Sequence, residues 1–155
     1  MLNDIARIVE ASSIAIAINQ SRYTLGGLSG AHLIGFALVM GTAIIANLRL
    51  TGLIFRRQPI LDVLRPARRG LVVGLTISIV TGALLVAPRA QSALDNWIFT
   101  LKMALLAAAV GVQMVVYSAL GLWLPPGVFS RAAGTLGLCL WLGVALAGCA
   151  FILIE

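Results

Sequence analysis

Leu25 to Ala46, LGGLSGAHLIGFALVMGTAIIA, is an uncharged run of 22 residues that contains the only histidine of the chain, His32. At about 1.5 Å per residue a helix over this run reaches roughly 33 Å, slightly more than the ~30 Å hydrocarbon core of a bilayer. The run therefore reads as a transmembrane helix, and the other segments are placed by their depth against it. The whole chain agrees with this reading. Hydrophobic residues make up 61% of it and charged ones 10%, and its mean hydropathy is +1.06, which excludes a water-soluble domain with an ordinary polar surface. At 155 residues there is room for one bundle of about four spans and little else. The fold class expected is all-α: an integral membrane four-helix bundle forming a single domain, 1–155, opened by an amphipathic helix lying at the membrane interface.

That interfacial helix is expected over 2–18, where Leu2, Ile5, Ile8 and Val9 recur at helical spacing with Asp4, Arg7 and Glu10 on the other side. Acids interrupt the start and no small-residue cleavage site follows, so the segment does not read as a signal peptide. The spans follow at about 25–46, 71–87, 97–120 and 132–154. Six of the ten arginines crowd into Asn47 to Gly70, which therefore reads as a cytoplasmic loop, with Pro59 and Pro66 each expected to open a helix. A short outer loop, Arg89 to Asn96, and an inner one, Gly121 to Arg131 with Pro125 and Pro126, complete the connections. Seven arginines then lie inside and three (Arg7, Arg22, Arg89) outside, which places both termini on the periplasmic side of a bacterial inner membrane.

The net charge of +6 is thus explained by topology and not by nucleic acid, although anionic headgroups are expected contacts of the basic face. Cys139 and Cys149 stand ten residues apart, about 15 Å of helical rise, beyond the reach of a disulfide. Small residues, Gly27, Ala31 and Gly35 on the first span and Gly134, Gly137, Gly143 and Gly148 on the fourth, mark faces where helices approach closely. Besides the bilayer, the expected partner is a second copy of the chain or the other subunits of a membrane complex.

Depth sorts the polar residues into two layers. His32 lies about 10 Å below the outer end of the first span, and Lys102, the only lysine, about 8 Å below Trp97. Thr81 and Cys149 reach a similar depth from the antiparallel spans. Asn47, Arg49, Gln113 and Tyr117 form an inner polar layer. An intramembrane cation marks a site or snorkels to the headgroups, and no carboxylate lies in any span to neutralise this one. A haem b suits both outer residues, with His32 on the iron and Lys102 on a propionate. Copper is the alternative, drawing on His32 and the soft donors Met40, Met103, Met114, Cys139 and Cys149, with Met103 also a weak candidate for a haem iron. A structural subunit without cofactor is the third reading. Carboxylate pairs, HExxH, CxxC, Walker and GxGxxG motifs are absent, so the chain leans away from an enzyme.

The stretches AHLIG around His32, NLRLTG around Arg49 and NWIFTLK ending at Lys102, within a pattern covering about residues 10–120, resemble a family of small uncharacterised four-helix bacterial membrane proteins. That family is similar to the membrane domain of CopD-type copper resistance proteins and, more distantly, to HemJ-type protoporphyrinogen oxidases. The HemJ resemblance implies a haem b held with a histidine on an early span and a lysine on a later one, and the CopD resemblance implies copper. In the small-protein family the position of Asn47 is usually aspartate and that of Tyr117 often histidine. Both departures remove ionisable or ligating groups from the inner layer, while His32 and Lys102 persist.

Overall fold

The computed structural model describes residues 2–119 and 127–154, and these are helical almost throughout. The helices are α1 (Leu2–Glu10), α2 (Ser13–Gln20), α3 (Arg22–Thr51), α4 (Ile60–Val86), α5 (Ala90–Asp95), α6 (Trp97–Ala119) and α7 (Val128–Ile154), with a 3-10 turn at Ala87–Arg89. Four of them, α3, α4, α6 and α7, are long and apolar enough to cross a membrane. Only 17–33% of the most apolar stretch of each is buried within the protein, so most of this apolar surface faces outward and requires an apolar solvent. By length and composition this is a multi-pass membrane protein with an all-α fold.

The middle of the bundle is α3, which packs against α4 and α7, and α6 packs against α7 and reaches α3 through the Asn47–Gln113 hydrogen bond. Close approach depends on glycine. A Cβ at Gly74 of α4 would lie 2.8 Å from the Gly35 carbonyl oxygen and 2.9 Å from the Val39 nitrogen, so here the two backbones touch. Gly134 of α7 meets the Asn47 carbonyl oxygen and Leu50 in the same way. Gly27, by contrast, meets nothing, so of the ridge expected on the first span Gly35 is the glycine used within the chain. Val39, Ala43, Ala46 and Leu50 line the buried side of α3 at spacings of three and four. They are joined by Leu64 and Leu71 from α4, Ala109 and Val116 from α6, and Trp141 and Val144 from α7.

The arginine-rich stretch is largely helix and not loop. α3 runs on to Thr51 and stops at Gly52, whose φ of +76° suits glycine and whose N–H reaches back to the Arg49 and Leu48 carbonyls. α4 begins at Ile60 with Pro59 as its N-cap, so Pro66 lies inside the helix and does not open one. As the seventh residue of the helix it lacks the N–H that would reach the Asp62 carbonyl, and its ring is exposed. Val63, Leu64, Ala67 and Leu71 are buried while Arg65, Arg68 and Arg69 are exposed, an amphipathic face that the density of arginine obscured. Arg49 leaves the polar layer for this connection, donating from Nη2 to the Gln58 carbonyl at 2.7 Å, and Arg56 donates to the Gly52 carbonyl.

The interfacial helix expected over 2–18 is two helices. Ser12 breaks it: its hydroxyl donates to the Val9 carbonyl at 2.6 Å, which ends α1, and accepts from the Ala15 N–H at 3.3 Å, which caps α2. Ala6 of α1 is buried, whereas Ile5 and Ile8 stay exposed. The expected outer loop also folds, as the 3-10 turn and α5, against which α1 packs. Glu10 joins them, its Oε1 accepting the Gln91 backbone N–H at 2.8 Å in the first turn of α5. Glu10→Ala should leave that donor uncapped at about 1 kcal/mol, roughly a fivefold change in an opening equilibrium. Amide exchange across residues 87–95 is expected to quicken by that factor with the spans unchanged. Unchanged exchange there would show that the carboxylate does not hold the two segments together.

Candidate functional site

His32 sits half-buried on α3, facing α4. Its Nδ1 lies 3.0 Å from Thr81 Oγ1. The Thr81 hydroxyl donates its one hydrogen to the Ile77 carbonyl at 2.6 Å, one turn back along α4, so towards His32 it is an acceptor. The tautomer that completes this contact carries its proton on Nδ1 and leaves Nε2 unprotonated, the state of a metal ligand oriented by a second hydrogen bond. Gly82 keeps space beside the ring, since a Cβ there would come within 3.0 Å of His32 Cε1.

Lys102 is half-buried on α6 and lies along α7, where a Cβ added at Gly148 would be 3.7 Å from its Cε and 3.8 Å from Nζ. It makes no hydrogen bond or ion pair with the described residues. His32, Thr81, Gly82, Lys102 and Gly148 thus come from four helices, towards the end of the bundle away from the arginine-rich connection. Gly82 and the Thr81–Ile77 bond escape sequence reasoning, and Gly148, expected as a packing residue, is where Lys102 lies. A glycine one turn from any polar residue is too common in spans to be a signal.

The soft donors lie differently. Cys139 and Cys149 are free and exposed, and Met103 and Met114 are 45% and 50% exposed. Met40 packs against the core between the two layers. Among the described residues, no three of His, Cys, Asp and Glu gather where a metal ion could be held.

Of the inner layer, the structure joins Asn47 and Gln113. Asn47 Nδ2 donates to the Ala43 carbonyl at 2.8 Å and to Gln113 Oε1 at 3.0 Å. Trp141 Nε1 donates to the same Gln113 oxygen at 3.3 Å. Trp141, 1% exposed, is the member that sequence reasoning missed, although an indole N–H in mid-span needs an acceptor and was a usable signal. Tyr117 is buried near by on α6, and Arg49 belongs to the connection below. No family model matches the chain, and neither a curated protein nor a solved structure does.

Proposed function

We propose that the outer layer is a haem b site, in which His32 would hold the iron through Nε2 and Lys102 would be the cationic partner of a propionate. One observation carries this: the Thr81 hydroxyl, committed to the Ile77 carbonyl, fixes the His32 proton on Nδ1 and leaves Nε2 open. The donor set fits a haem, whose iron brings four nitrogens of its own and asks the protein for one or two. Cu(I) would need several soft protein donors, and the cysteines and two of the methionines near these layers point outward. When bound, the group supplies one-electron transfer. The protein's own residues orient His32 through Thr81, make space for the His32 ring at Gly82 and for the Lys102 side chain at Gly148, and supply a positive charge with no acid in the spans to compete for it. Purified protein expressed with haem available should show a Soret band. With one histidine per chain, one haem per two chains in a low-spin state indicates a ligand shared between copies, and one per chain in a high-spin state a five-coordinate iron. Cu(I) binding through His32 without a Soret band replaces this reading with the copper one, and binding of neither leaves a structural subunit.

We place the chain in the bacterial inner membrane with both ends periplasmic, as the arginines support: Arg49, Arg56, Arg57, Arg65, Arg68, Arg69 and Arg131 at one end of the bundle, Arg7, Arg22 and Arg89 at the other. This sets the His32 layer in the outer leaflet, suited to a subunit that passes electrons near the periplasmic face. Reporter fusions test it. A reporter active only in the periplasm should work when joined after residue 155 and fail between Arg56 and Arg57, and the reverse pattern overturns the orientation.

A further inference from the structure

Among the described residues, two buried polar groups of α6 have no hydrogen-bond partner, Gln113 Nε2 and the Tyr117 hydroxyl. Their residues are 1% and 8% exposed, and they stand four apart on α6, on one face and one turn from each other. The orientation of the Gln113 amide is not free. Its Oε1 already accepts from both Asn47 and Trp141, and turning it over would set an NH2 against two donors. Nε2 and its two hydrogens thereby meet no acceptor among the described residues. An unmade bond of this kind costs about 1–3 kcal/mol, and in native interiors such groups meet water or a bound guest.

We infer that Gln113 and Tyr117 hold an internal water molecule in the cytoplasmic half of the bundle, a second site independent of His32. The guest must offer an acceptor to Nε2, which only donates, and must suit a hydroxyl that does both. Water satisfies the two together. An anion is disfavoured because Asn47, Gln113, Tyr117 and Trp141 are all neutral and Arg68 is an exposed side chain. The site lies some fifteen residues of α3, about 22 Å, from His32, and the core residues Val39, Ala43 and Leu71 fill the interval. Hydration reaching it from the cytoplasm therefore stays apart from the outer layer.

The chain has two tyrosines, and Tyr23 is 94% exposed, so Tyr23→Phe leaves Tyr117 as the sole tyrosine signal. Ultraviolet resonance Raman of this variant should show the doublet of a hydrogen-bonded phenol, and radiolytic labelling in oxygen-18 water should mark Tyr117 despite its burial. Gln113→Leu, added to it, should turn the doublet to the unbonded form and lower the labelling several-fold. Should that variant fail to fold, the parent decides alone. An unbonded doublet with no labelling overturns the water, and a doublet that shifts on titration with sodium formate overturns it in favour of an exchangeable anion.

Discussion

Gly137→Ala is expected to lower the melting temperature of the detergent-solubilised protein by about 10 °C, while Gly143→Ala, on the same helix, leaves it within about 2 °C. A Cβ at position 137 would run into Asn47 Oδ1 and come 2.8 Å from Asn47 Cγ. The neighbour cannot yield cheaply, because both hydrogens of that amide are committed, one to Ala43 and one to Gln113. Overpacking of this kind costs about 1–3 kcal/mol, and freeing a buried partner adds about 1–3 more. The sum, on the order of 3 kcal/mol, is a large part of an ordinary folding stability. At Gly143 the same atom meets only Leu105, at 3.5 Å, an ordinary contact. Equal melting of both variants would mean that α7 does not sit on α3 through Gly137.

The reach of the sequence differed between the spans and their faces for one physical reason. A soluble helix advertises its buried side through polar residues opposite, but a helix in lipid is apolar all round. The four apolar runs therefore showed where the spans lie, and nothing in them showed that α3 packs against both α4 and α7. Charge misled in the Asn47 to Gly70 segment, where arginines at helix ends looked like a loop and hid the burial of Val63, Leu64 and Ala67. Ser12 was invisible because the apolar period runs through it. Depth was the more durable signal, since rise per residue is fixed: counting set His32 and Thr81 in one layer, and they are bonded. What counting cannot yield is the direction of a proton, and that depends on the Ile77 carbonyl accepting from Thr81.

His32→Ala is expected to abolish the Soret band completely in protein expressed with haem available, because the described residues offer no second imidazole and the exposed methionines are weak substitutes. Loss of a band alone would not distinguish a ligand from a packing residue, so Thr81 carries the finer test. Thr81→Val keeps the shape of the side chain and removes the acceptor of the Nδ1 proton. The ring is then no longer held in one tautomer, and affinity should fall by about 10–100-fold, the usual effect of removing a partner that orients a ligand. The band should persist at saturating haem. Lys102→Ala should weaken retention without moving the band, since it removes a charge near the ring and not a ligand. A Soret band unchanged in His32→Ala, in protein that melts like the wild type, would remove His32 from the iron. Thr81→Val and wild type binding alike would show that the proton on Nδ1 is set by something other than this hydroxyl.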